Sequence, residues 1–275
     1  MTLSLDGPLV LAGAGKMGGA MLAGWLKRGL DPKLVMVQDP GPPPEVAALL
    51  ERHGIPTHLE LPDLPRPPAV IVAAVKPQLM DQVFPRLAAR SGPGTLVLSI
   101  AAGKTLASFE RHLAADRAVV RAMPNTPAAI GRGITVCVAN AHVSPSGRAL
   151  ATALLEAVGE VGWVEDEALM DAVTAVSGSG PAYVFLLAEA LTVAGVRQGL
   201  DPELSARLAR ATVAGAGELL RQSAESAAQL RTNVTSPGGT TAAALAVLMR
   251  EGAGMPELLD EAVAAATKRG RELAG

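Results

Sequence analysis

The sequence predicts an α/β fold: an N-terminal doubly wound sheet followed by an all-α C-terminal domain. Three observations predict it. Short apolar runs alternate with helix-patterned runs through the first 160 or so residues. A glycine-rich turn closes the first of those apolar runs. After about residue 166 apolar positions recur only at helical spacing, and no convincing strand follows.

The elements follow in order. PLVLAG (8–13) is a short apolar run ending in glycine, and MGGAMLAGWLKRG (17–29) continues with helical spacing. LVMVQD (34–39) is the second strand, and PPEVAALLERHG (43–54) is a helix closed by Gly54. AVIVAAV (69–75) is the third strand, followed by the helix-patterned PQLMDQVFPRLAARSG. TLVLSIAAG (95–103) and AVVRAMPN (118–125) are the fourth and fifth. GITVCVAN (133–140) and EVGWVED (160–166) are further strands, with a helix over 145–158 opened by Ser144-Pro145. Strand and helix in strict alternation predict parallel pairing with right-handed crossovers. Strands that are apolar throughout predict a sheet covered on both faces. Beyond it, Leu169, Ala172, Val173 and Val176 open the helical half, and further helices are expected over 202–222, 240–251 and 256–273. The expected domains are therefore residues 1–163 and 164–275. The alanine-rich helices fit close packing, either within a core or between subunits.

Composition narrows the function. Hydrophobic residues make up 49% and charged residues 18%, which is a globular balance. The net charge is −2 and Lys and Arg are scattered, so no nucleic-acid face is expected. Cys137 is the single cysteine, so no internal disulfide and no cysteine-based metal site is expected, and no metal at all. It sits in an alternating run and reads as a small apolar strand residue. The opening MTLSLDG lacks a basic and an apolar signal region. No apolar run of about 18 residues escapes a charge, Gly or Pro break. No membrane span is expected, and a cytoplasmic protein is.

Gly13-Ala14-Gly15-Lys16-Met17-Gly18 fits the pattern G-x-G-x-x-G between a strand and a helix. In that context it is a Rossmann-like dinucleotide loop. Gly13 permits the tight turn, Gly15 lets backbone approach a pyrophosphate, and Gly18 lets helix and strand pack closely. Lys16 and Met17 open the helix whose free N–H groups face the phosphates. Asp39 ends the second strand, where an acid accepts from adenosine ribose hydroxyls and favours NAD; a plain turn acid is the alternative reading. The residues after it hold no arginine for a 2′-phosphate. The choice between NADH and NADPH stays open at this stage.

The chemistry has few candidate acids. The histidines, His53, His58, His112 and His142, all fall in the first domain and read as solvated, and the helical half has no lysine before Lys268. A hydroxyacid dehydrogenase would carry a lysine near Ser177–Tyr183, where this chain has SGSGPAYVF. An imine asks for less. Its nitrogen is protonated before hydride arrives, so a hydroxyl to orient it and amides to hold a carboxylate suffice. The stretch NVTSPGGTTAAAL (233–245) interrupts a helix with hydroxyls and glycines and offers those parts. Ser177-Gly178-Ser179-Gly180-Pro181 breaks another helix, with Ser179 able to cap. It is either a plain kink or a close approach of backbone to cofactor or substrate.

GAGKMGGAM (13–21), AAVKPQ (73–78), SIAAGKTL (99–106), RAMPNTPAAIGRG (121–133), AVSGSGPAYVF (175–185) and NVTSPGGTTAAAL occur in this order. Together they resemble the pyrroline-5-carboxylate reductase family over nearly the whole chain. The resemblance implies reduction of L-Δ1-pyrroline-5-carboxylate to L-proline with NADH or NADPH, the last step of proline biosynthesis. It implies that Ala74, Val75, Lys76 and Pro77 line the cofactor, with Ala102, Gly103, Pro124 and Asn125 near the nicotinamide. It implies that Thr241 contacts the ring nitrogen, that Ser236, Gly239 and Thr240 hold the carboxylate, and that Ser177 lies by the substrate. It also implies a homodimer through a helical substrate-binding and dimerisation domain, with dimers gathering into larger rings. The chain departs from the family at Asp39-Pro40-Gly41, where many members carry Asn-Arg-Ser or similar. The rivals are a related imine reductase or a deazaflavin-dependent reductase sharing the first domain, and a nucleotide-sensing protein that keeps the fold and has lost catalysis.

Overall fold

Leu9–Ala12 (β1) is buried at every residue, and its side chains part alternately to two cores. Leu9 and Leu11 join one core, while Val10 and Ala12 join the other. That division is what a strand covered on both faces requires. The computed structural model describes residues 3–274, so positions 1, 2 and 275 of the expected domains lie outside it.

The strands are β1, Val35–Gln38 (β2), Thr57–His58 (β3), Val70–Ala73 (β4), Leu96–Ser99 (β5), Ala118–Met123 (β6), Gly133–Ala139 (β7) and Gly159–Trp163 (β8). They form one sheet in the order β3-β2-β1-β4-β5-β6-β7-β8. The helices beside them are Lys16–Lys27 (α1), Pro44–His53 (α2), Pro77–Ala88 (α3), Leu106–Glu110 (α4) and Pro145–Leu155 (α5). On one face Met21, Leu22 and Trp25 of α1 pack with Leu154 of α5, and Trp25 Nε1 donates to the Leu154 carbonyl at 2.8 Å. On the other, Met80 and Phe84 of α3 meet Phe109 of α4; the two phenyl rings stand edge to face with centroids 4.8 Å apart. Cys137 is fully buried in β7, as the alternating run predicts.

The sheet departs from the all-parallel expectation at one junction. β7 pairs antiparallel with β6, Ala122 opposite Cys137, and β8 then pairs parallel with β7. The connection over 124–132 is a single 3-10 turn with no crossover helix, so the chain can only fold back on itself. Two short elements, β3 and α4, escape the periodicity reading because neither is long enough to show a period.

The helical half opens with Met170–Val173 (α6), which runs directly into a π-helical turn, Thr174–Gly178. Instead of breaking, the helix widens at the SGSG stretch. Ser179 makes no capping hydrogen bond, contrary to expectation, because its backbone is already helical (φ −84°, ψ −26°). Then come Gly180–Arg197 (α7), Pro202–Gln222 (α8), Ala227–Asn233 (α9), Thr240–Leu248 (α10) and Met255–Ala274 (α11).

Chain contacts divide the molecule into two compact units, one up to Gly178 together with the chain from Ala266 onward, the other Ser179–Ala265. In the second unit α7 and α8 pack closely. Ser205 Oγ donates to the Thr192 carbonyl at 2.8 Å, and a Cβ on Gly195 would lie 2.3 Å from that same Oγ. Few side chains of this unit are buried. Phe185, Leu186, Leu219, Val247 and Leu258 are each more than half exposed. The helical stretch Glu167–Arg197 is apolar enough by length and composition to cross a membrane, and none of that window is buried in the chain.

Candidate active site

The strand order reverses between β1 and β4, which makes the crevice beyond their carboxyl ends the switch point of the sheet. Gly13 follows β1 directly and Ala74 follows β4. Gly13 has φ +92°, a conformation that glycine adopts freely, and a Cβ there would meet the Ala74 carbonyl oxygen at 2.6 Å. A Cβ on Gly18 would lie 2.1 Å from the Gly13 oxygen. Gly15 differs, with nothing within 4 Å of the place a Cβ would take. It opens α1 with no side-chain cap, leaving the first-turn amides of Lys16, Met17 and Gly18 without an upstream helical carbonyl. Two glycines thus shape the loop and the third leaves room over it, which is the fit a pyrophosphate requires.

Asp39 fixes this loop from the side. Its Oδ2 accepts the Ala14 N–H at 2.6 Å, and its Oδ1 accepts the Gly41 N–H at 2.8 Å. The two readings of Asp39 are therefore not exclusive: it is a turn acid, and each oxygen keeps a second lone pair. Gly13 N–H donates to the Gln38 carbonyl at 2.8 Å, which ties the loop to β2.

Along the crevice, Ala74 N–H donates to the Ala12 carbonyl at 2.7 Å, and Val75 is half-buried. Lys76 caps α3 in an extended conformation (φ −57°, ψ 142°) and its side chain is exposed, as a residue before proline should be. Pro77 takes the first helical position. Ala102 and Gly103 lie in the turn after β5, Gly103 at φ +72°. A cleft of about 840 Å³ adjoins them, lined by Pro77, Gln78, Gly103, Lys104 and Thr174 among others. Lys104 Nζ donates to Asp81 Oδ2 at 2.8 Å, tying this turn to α3. That hydrogen bond holds the Asp81 carboxyl below its ordinary value.

Pro124 is buried, and Asn125 precedes the 3-10 turn. Its Oδ1 accepts the Ile134 N–H at 3.0 Å, which leaves the Asn125 NH₂ as the group available to a ligand. Ser177 lies in the π turn, where its hydroxyl donates to the Val173 carbonyl at 2.9 Å and can only accept from a ligand. π turns of this kind occur often at functional sites.

The remaining candidates lie in the second unit. Ser236, Gly239, Thr240 and Thr241 bridge α9 and α10. Gly238 turns the chain at φ +70°, and Gly239 N–H donates to the Ser236 carbonyl at 3.0 Å. Gly239 is the cap residue of α10 and supplies no side-chain acceptor, so the amides of Thr240 and Thr241 begin the helix uncapped. Thr240 and Ser236 are exposed, and Thr241 is half-buried.

Two functional supports left no local signal in the sequence. Arg121 of β6 is 7% exposed and pairs with Glu167 at 2.9 Å. The same Glu167 oxygen accepts the Leu106 N–H at 2.8 Å. One carboxylate thus joins the strand leading to Asn125 with the helix that follows Gly103.

A family model described as pyrroline-5-carboxylate reductase dimerisation matches residues 167–273. A second, described as NADP oxidoreductase, coenzyme F420-dependent, matches residues 9–103. The pyrroline-5-carboxylate reductase of Pseudomonas aeruginosa is 41% identical over 266 residues, covering 97% of this chain and 96% of its own. The chain belongs to the pyrroline-5-carboxylate reductase family. The family member of Synechocystis is 48% identical over 204 residues, 74% of each chain. Among solved structures, the pyrroline-5-carboxylate reductase of Coxiella burnetii superposes with a TM-score of 0.90 at 34% identity, over 98% of this chain and 100% of that one. The Plasmodium falciparum pyrroline carboxylate reductase, solved with NADP bound, does so with a TM-score of 0.80 at 28% identity, over 98% and 99%. The exposed apolar helices fall inside the dimerisation match.

Proposed function

We propose that this chain reduces L-Δ1-pyrroline-5-carboxylate to L-proline by hydride transfer from NADH or NADPH, the last step of proline biosynthesis. The observation that carries the reading is the uncapped start of α10 behind the Gly238-Gly239 turn, on a chain that also holds a complete dinucleotide loop. A nucleotide sensor would need the loop and not the turn.

Bound nicotinamide supplies the hydride. The chain's own groups bind and orient. Gly13, Gly15, Lys16, Met17 and Gly18 would hold the pyrophosphate, and Asp39 the adenosine ribose. Ala74, Val75, Lys76 and Pro77 would line the cofactor, and Ala102 and Gly103 would lie by the nicotinamide. The Asn125 NH₂ would be the group to donate to a nicotinamide carboxamide. The amides of Thr240 and Thr241, with Gly239 and the Ser236 hydroxyl, hold the substrate carboxylate at the positive end of α10. The Thr241 hydroxyl fixes the ring nitrogen, and Ser177 contacts the substrate. Because the iminium nitrogen carries its proton beforehand, hydride adds to C5, the C=N electron pair passes to nitrogen, and no strong acid is needed.

In this reading residues 1–163 are the dinucleotide-binding domain and residues 164–275 bind substrate and dimerise. The protein is cytoplasmic, a homodimer through its helical domain, assembled further into a larger homo-oligomer. It takes a small-molecule substrate and neither nucleic acid nor membrane. The test is steady-state turnover of pyrroline-5-carboxylate, followed by nicotinamide absorbance with proline identified as product. Absence of turnover with both cofactors would overturn the reading.

A further inference from the structure

The segment after β2 carries information about which dinucleotide is bound. From Gln38 to Val46 the chain reads Gln-Asp-Pro-Gly-Pro-Pro-Pro-Glu-Val. It contains no lysine, arginine or histidine, and two acids. In an open α/β sheet the end of this strand meets the adenosine ribose, so a 2′-phosphate would have to be held here.

Within this segment the structure leaves that phosphate few donors. Pro40, Pro42, Pro43 and Pro44 have no N–H to give. The Gly41 N–H is already taken by Asp39 Oδ1 at 2.8 Å. The start of α2 offers little. Its cap residue is Pro43, its first residue is Pro44, and Glu45 places a carboxylate in the first turn. A helix start that elsewhere attracts anions is here poorer in donors and already countered by a negative charge. Asp39 itself cannot turn away, because its other oxygen holds the Ala14 N–H at 2.6 Å. Its remaining lone pairs suit ribose hydroxyls, which donate. They oppose a phosphate, which brings close to two negative charges at neutral pH.

We infer that Asp39, held between the Ala14 and Gly41 amides and followed by a donor-poor proline loop, makes this chain select NADH over NADPH. The inference rests on the cofactor reading above and sets this chain apart from the NADP-bound Plasmodium relative.

Equilibrium binding tests it without turnover. NADH and NADPH are titrated into the wild-type protein by nicotinamide fluorescence, and ADP and 2′,5′-ADP are compared as competitors. NADH is expected to bind tighter by at least about tenfold, a difference of about 1.4 kcal/mol. ADP should displace it better than 2′,5′-ADP. Asp39→Asn keeps an oxygen for one of the two amides and removes the charge, so it should narrow the ratio, chiefly by strengthening NADPH binding. The double variant Asp39→Asn with Pro40→Arg supplies a cation and should narrow it further. Equal or tighter binding of NADPH to the wild type would overturn the inference, as would a ratio unmoved by Asp39→Asn in a protein that still binds NADH. NADH selectivity without any turnover of pyrroline-5-carboxylate would instead overturn the proposed reaction and leave this inference standing.

Discussion

Replacing Glu167 by alanine leaves the Arg121 guanidinium buried at 7% exposure with its charge uncompensated. Breaking a buried pair from one side costs about 3–5 kcal/mol. Glu167 is itself 29% exposed, which places the ion-pair loss near about 3 kcal/mol. The Leu106 N–H loses its acceptor in the same change, adding about 1 kcal/mol. A destabilisation of about 4 kcal/mol should lower Tm by roughly 8–16 °C for a unit of this size. Arg121→Met removes the buried charge instead and leaves Glu167 free to reach water and Leu106, so it should cost less, about 1–2 kcal/mol. The double variant Arg121→Met with Glu167→Leu should recover most of the single Glu167 loss, since an apolar pair can replace a buried ion pair. Urea unfolding of the wild type and the three variants gives the four stabilities. A Glu167→Ala variant within about 1 kcal/mol of wild type would refute the reasoning, as would Arg121→Met proving the more harmful single change.

Three further outcomes are expected. Gly13→Ala should lower stability by more than about 2 kcal/mol, because φ +92° and the Ala74 carbonyl at 2.6 Å both oppose a Cβ. Gly15→Ala, which faces open space, should leave Tm unchanged while weakening cofactor binding; thermal melts and titrations on both variants check the contrast. Burial pushes the Cys137 thiol up to about 12. The unfolded thiol releases its proton first, so stability should fall as pH rises from about 9 toward 12, by at most about 1.4 kcal/mol per pH unit. Cys137→Val should lose that part of the slope in pH-dependent urea melts. Thr241→Ala should lower kcat by roughly 10–100-fold with little change in cofactor affinity, since a hydroxyl that orients the ring nitrogen acts on the reacting centre; an equal loss of dinucleotide binding in a titration would contradict that role.

Much of the fold is legible in the sequence where the physics is local. The apolar runs, the glycine turn and the proline-led helices each carry their signal within a few residues, and β1, β4 and α1 fall where those signals lie. The direction of β7 does not, because it depends on how the chain leaves Met123, and the 3-10 turn over Thr126–Ile130 has no period to read. The same limit hides the site's supports. Arg121 and Glu167 are 46 residues apart, and neither stands in a patterned position. Asp39 is the intermediate case. Its place at the strand end is visible from the sequence, but its grip on Ala14 and Gly41 appears only in the fold. At Ser177 the motif is visible and its conformation is not, since a π turn differs from a kink by one added residue in the helical ring.

The central claim is direct hydride transfer from a nicotinamide dinucleotide to the cyclic imine of pyrroline-5-carboxylate. The most direct test is to supply nicotinamide cofactor deuterated at C4, on the transferring face, with pyrroline-5-carboxylate and to analyse the proline formed by mass spectrometry and NMR. One deuterium at C5 of proline is expected. Unlabelled proline, with the label retained in the oxidised cofactor or lost to water, would contradict the account.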